Sequence, residues 1–137
     1  MFCREQVAQL RDAKPRLDAR GARVVVVGNG TPAHARMFAE DEDVPFTLWV
    51  DPQMTAYRAA GLRRGVRAVF SRHSIGHTAR ALRGGFRQTA VKGDPWQNGG
   101  VFVITAKGRT VFEHKSAEAG DHAAVSEIVA ALDRVAA

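Results

Sequence analysis

The sequence predicts an α/β domain, a sandwich of helices on a small sheet. Three observations carry that expectation. Apolar residues recur at helical spacing over 3–20 and again over 121–137, at the two ends of the chain. Between them, two short β-branched or aromatic runs, Val24–Val27 and Phe46–Val50, are each followed at once by a helix-start signal, Thr31-Pro32 and Asp51-Pro52. Late in the chain, GGVFVITAKGRTVFEHKS reads as two strands joined by a tight turn. At 137 residues, with 45% hydrophobic and 25% charged residues, the chain fits one soluble domain, 1–137, able to bury an ordinary core.

Each element has a local cause. From Cys3 to Arg20, Val7, Leu10 and Leu17 share one helical face with Ala13 beside them. Pro15 removes a donor and crowds the preceding turn, so it is expected to kink or split that helix. Gly21 suits the left-handed stop. The run Val24–Val27 is too apolar to alternate and predicts a central strand buried on both faces. Thr31 as cap and Pro32 at the first helical position open a helix to about Asp41 that buries Ala35, Phe38 and Met37. PFTLWV is the second strand. Asp51-Pro52 predicts a short helix carrying Met54, Tyr57 and Ala60 and stopping at Gly61. Val101–Thr105 and Thr110–Lys115 form the hairpin, turning at Lys107-Gly108. Asp121 is expected to cap a last helix with Val125, Ile128, Val129 and Leu132 on one face.

Residues 62–98 have no clean period and hold five glycines and Pro95. They read as an insertion with at most one short helix, near 74–83. Arg63, Arg64, Arg67, Arg72, Arg80, Arg83, Arg87 and Lys92 stand there against Asp94 alone, so this segment outweighs the net +6 of the whole chain. With Phe70, Phe86 and Trp96 it suggests an anion-binding surface. Its scattered charge and the lack of any nucleic-acid motif favour a solvated insertion packed by its aromatics. A lid whose arginines attract acidic substrates is the intermediate reading.

The order helix, strand, helix, strand, short helix, insertion, hairpin, helix is that of the thioredoxin fold without the central strand that normally precedes its first helix. The fold class expected is therefore a thioredoxin-like α/β sandwich with a basic insertion, lacking the first central strand. The missing strand would leave an open edge beside Val24–Val27, and a homodimer is the natural repair.

Cys3 is the only cysteine. No internal disulfide is possible, no signal peptide is visible, and no run reaches the ~20 apolar residues of a membrane helix. A cytoplasmic chain with no membrane partner is expected. A thiol at a helix N-terminus feels the positive end of the helix dipole, which favours thiolate, and Arg4 adds charge nearby. An inert cysteine is the bland alternative. GNGTPA, with Asp51 about 20 residues on, matches a dinucleotide-binding pattern, but a capped strand-to-helix turn explains the same residues. His73 and His77 are four apart, with no carboxylate or cysteine to complete a metal site, and His34, His114 and His122 are scattered. No metal and no cofactor are expected.

The segments FCREQ (2–6), VVVVGNGTP (24–32), FTLWVDP (46–52), AYRAAGL (56–62), GDPWQNGGVFVI (93–104) and the late GDH (120–122), in this order and spacing, resemble the peroxiredoxin-like branch of the alkyl hydroperoxide reductase/thiol-specific antioxidant superfamily. That branch enters its first helix through C-P-x-C-R-E. Cys3 matches the second cysteine, Met1 falls where the proline stands, and the first cysteine has no counterpart. The resemblance implies a thiol-dependent antioxidant or oxidoreductase that reduces peroxides or disulfides with an external thiol reductant. Cys3 would be catalytic, and Arg4, Thr31, Trp96, Gly99 and Gly100 would form its surroundings. It also implies a start codon further upstream, or a degenerate relative, or a Cys3 that works with an outside thiol. The contrasting expectation is a non-catalytic thioredoxin-like binding module that has lost the attacking cysteine. A dinucleotide-binding domain built on GNGTPA is third.

Overall fold

The computed structural model describes residues 2–62, 97–117 and 120–136. Trp96, the basic insertion and the helix expected near 74–83 lie outside these described residues.

The first helical stretch is split as Pro15 requires: α1 is Phe2–Asp12 and α2 is Lys14–Asp18, with Pro15 in the opening turn of α2, where its missing N–H costs nothing. Gly21, at φ +67°, ends it. β1 (Val25–Gly28) follows, then α3 (Pro32–Asp41), β2 (Thr47–Val50) and α4 (Thr55–Ala59). β1 and β2 are parallel, Val25 opposite Thr47 through Gly28 opposite Val50. β3 (Gly100–Ile104) and β4 (Thr110–Lys115) form the expected antiparallel hairpin, with a register shift between Val103 and Ile104 and Gly108 at φ +80° in the turn. α5 (Val125–Ala136) closes the chain.

The core lies between the terminal helices and the hairpin. Leu10, Ala13 and Leu17 meet Val103 of β3 and Ile128, Val129 and Ala131 of α5, and Val24, Phe46 and Val101 pack against them. Leu17 is 1% exposed. Burying an aliphatic side chain of that size contributes ~1.5–3 kcal/mol, so this cluster holds the two strand pairs in one unit.

Four expectations are corrected. β1 is not buried on both faces: Val25–Val27 are all half-buried, because among the described residues β1 pairs with β2 alone and the two strand pairs stay separate sheets. Met37 is 49% exposed and does not join Ala35 and Phe38 on the packed side of α3. The short helix begins at Thr55 rather than Pro52; a left-handed residue, Met54 at φ 60°, separates the Asp51 turn from it. Asp121 does not cap α5. Its carboxylate turns back to the Ala117 N–H (2.8 Å) and to His114 (3.0 Å). Glu127 caps instead, accepting the Ala124 N–H at 3.3 Å from three residues on.

Candidate functional site

Thr31 and Asp51 follow the carboxyl ends of β1 and β2, and α4 links that end to Gly100. Asp51 donates its backbone N–H to the Gly28 carbonyl at 2.7 Å, closing the end of the parallel pair. Tyr57 donates its hydroxyl to the Val27 carbonyl at 2.9 Å, so α4 lies over that end. The Leu62 N–H then bonds the Tyr57 carbonyl, and Leu62 packs on Gly100 at the start of β3. A Cβ on Gly100 would stand 2.8 Å from both the His114 carbonyl and Leu62 Cδ2, so glycine is what lets the hairpin approach. At Gly99 a Cβ would meet nothing within 4 Å, and the Gly99 carbonyl accepts the Ser116 N–H at 3.0 Å.

Lys14 and Asp18 of α2 share a cleft of about 180 Å³ with Arg23, Val24, Phe46 and Thr47, at the amino ends of β1 and β2. α2 therefore lies beside the amino ends of the parallel pair, and α1, whose first turn carries Cys3, precedes it in the chain.

That turn is tied down on two sides. Arg4 pairs with Glu42, lies 3.4 Å from Asp41, and stacks over the Phe38 ring at 5.4 Å. Its charge is thus committed to the C-terminal end of α3. Thr31 caps the other end of α3, accepting the His34 N–H at 3.3 Å. A ten-residue helix is ~15 Å long, so the Arg4 guanidinium and Thr31 are not brought together. On the other side, Gln6 donates to the Ala123 carbonyl at 3.5 Å, and buried Glu5 lies 3.7 Å from His122 Nε2. The loop holding His122 also carries Asp121, whose carbonyl accepts the Ser116 hydroxyl at 2.7 Å. Asn98, 6% exposed, donates to the Ser116 carbonyl at 3.2 Å. The first turn of α1 and the Gly99-Gly100 segment are therefore fastened to one loop, 116–124.

Glu5, Asn98 and His122 received no role in the sequence reading, and Asp121 only that of a helix cap. Glu5 and His122 stand inside the quoted FCREQ and GDH segments, and only the fold shows that those segments meet. Asp51 is fully occupied: its carboxylate accepts the N–H groups of Thr55 (3.0 Å), Ala56 (2.7 Å) and Tyr57 (3.4 Å). It serves the turn into α4 and leaves the dinucleotide reading without its ribose partner. Among the described residues no cluster of three or more His, Cys, Asp or Glu could hold a metal, and no helix is long and apolar enough to cross a membrane.

Comparison with known proteins agrees with this architecture. The sequence is 29% identical over 140 residues to the thioredoxin-like protein AAED1, chloroplastic, of Arabidopsis thaliana, covering 96% of this chain and 56% of that protein. It is 25% identical to peroxiredoxin-like 2C of Bos taurus over 138 residues (93% and 60%) and of Homo sapiens over 139 residues (93% and 61%). The chain thus spans somewhat over half the length of these relatives. The sequence profile of the AhpC/TSA antioxidant enzymes matches residues 9–118, starting after Cys3. With four-fifths of its length inside that match and a thioredoxin-like α/β architecture around it, the chain belongs to the AhpC/TSA antioxidant enzyme family.

Proposed function

We propose that this chain is a thiol-dependent antioxidant protein in which Cys3 reduces peroxides or disulfides. The observation that carries the reading is the place of Cys3 in the first turn of an eleven-residue helix, next to Gln6, which donates to the Ala123 carbonyl. There the helix dipole favours thiolate. The sulfur attacks one oxygen of a hydroperoxide; an S–O bond forms and the O–O bond breaks. The products are a sulfenic acid and an alcohol or water. An external thiol condenses with the sulfenic acid, releasing water and leaving a mixed disulfide. A second thiol displaces Cys3 as a free thiol and leaves as the disulfide, so two electrons pass from two thiols to one peroxide.

The test is the rate at which the thiol is lost on mixing with hydrogen peroxide or an organic hydroperoxide. We expect the chain to react at least ~10-fold faster than free cysteine, and Cys3→Ser to be inert. A rate equal to that of free cysteine removes the enzymatic reading. It leaves the second one, a non-catalytic thioredoxin-like binding module. Either reading accommodates a homodimer through the strand edges that β1 and β3 leave unpaired among the described residues.

A further inference from the structure

The chemistry above makes no use of the cleft between α2 and the amino ends of β1 and β2. It lies at the other end of the parallel pair from Thr31 and Asp51 and encloses about 180 Å³. Val24 and Phe46 give it apolar walls. Both pack against the core cluster, yet both stay half-buried, so part of each faces the cleft. Its charged groups are Lys14, Asp18 and Arg23. Lys14 and Asp18 answer each other at 2.5 Å, so their charges cancel locally. Arg23 is exposed and has no hydrogen-bond or ion-pair partner among the described residues. The cleft therefore pairs apolar surface with one uncommitted guanidinium.

We propose that this cleft is a binding site for a small monocarboxylate with an apolar body. Arg23 takes the carboxylate, and Val24 and Phe46 take the body. A guanidinium presents a flat fork of donors that matches the two oxygens of a carboxylate. Apolar walls beside it reward a ligand that carries a ring or a short chain behind its acid group. Size follows from volume: clefts for drug-sized ligands run to ~300–1,000 Å³, so about 180 Å³ suits a single ring. Charge follows from Asp18, whose carboxylate shares the cleft. Its repulsion grows with the charge of the ligand, so a monoanion is favoured over a phosphate dianion. The proposal does not rest on Cys3 or on the antioxidant reading.

Benzoate is the probe, added to the nitrogen-15-labelled chain at constant ionic strength and followed by amide chemical shifts. Saturable shifts should concentrate at Ala22, Arg23, Val24, Phe46 and Thr47. Arg23→Gln, at an exposed position where folding is not at stake, should weaken binding about 10-fold. Benzyl alcohol has the ring without the charge, and acetate has the charge without the ring. Each should bind at least ~10-fold more weakly than benzoate, and inorganic phosphate should do no better than acetate. A benzoate dissociation constant weaker than about 10 mM, the limit expected of a ligand this size, overturns the proposal. So do shifts scattered over the surface, or wild-type affinity in Arg23→Gln. Acetate or phosphate binding as tightly as benzoate reduces the effect to attraction of anions by a basic chain, and benzyl alcohol binding as tightly removes Arg23 from it. Either result also overturns the proposal.

Discussion

Gly100 shows how one absent atom positions a site. Any Cβ there would press on the His114 carbonyl and on Leu62 at 2.8 Å, so the hairpin and the end of α4 would have to part. We expect Gly100→Ala to cost ~1–3 kcal/mol in chemical denaturation, as other overpacked sites do. Gly99→Ala next to it, with open space around its Cβ, should sit close to wild type. Asp51 makes a complementary case. Its carboxylate serves three backbone N–H groups at the start of α4. Asp51→Ala should therefore cost ~0.5–2 kcal/mol, and adding NAD or NADP to the wild-type chain should raise its melting temperature not at all. A nucleotide-dependent rise would restore the dinucleotide reading. Arg4 carries the third lesson at this scale. Adjacency in sequence suggested that its charge serves the thiol, yet two acidic residues 37 and 38 positions away take it.

At the scale of elements, local chemistry and packing divide the work. Pro15 splits the first helix and Thr31 caps α3 because each acts on its own backbone, whatever the rest of the chain does. Thr31→Ala should lower stability by ~1 kcal/mol, measurable as a shift in the urea midpoint with an unchanged slope. Leu17 is different in kind. It is 1% exposed and lies where α2, the hairpin and α5 converge. Leu17→Ala should cost ~2–5 kcal/mol, and circular dichroism should show an earlier thermal midpoint with the native spectrum kept at low temperature. The loop 116–124 is the element the sequence concealed. It has no hydrophobic period, yet it bonds the first helix and the approach to β3 through Gln6, Asn98, Ser116 and Asp121.

For the whole molecule, the open question is pairing of the sheet. β1 and β3 each use one edge among the described residues, while a shared core holds the two pairs as one body. Unpaired strand edges recruit strands. Sedimentation of this chain should accordingly show a dimer whose population grows with concentration; a single monomeric species over the same range would sink that expectation. The same edges explain why Val25–Val27, as apolar as any buried strand, are only half-buried.

The sequence by itself determined the order of elements, the split of the first helix at Pro15, the helix start at Thr31-Pro32, the hairpin and its glycine turn, and the family, because those signals are short-range or lie in ordered segments. The thioredoxin-like class followed from that order alone. The tertiary structure alone decided three things. It decided that Arg4 answers Asp41 and Glu42, that Asp121 serves its own loop and not α5, and that Glu5 of FCREQ meets His122 of GDH. These are contacts between residues far apart in the chain. Which of several distant carboxylates a given base reaches depends on the packing angles of helices and on where a loop returns, and no local propensity encodes either.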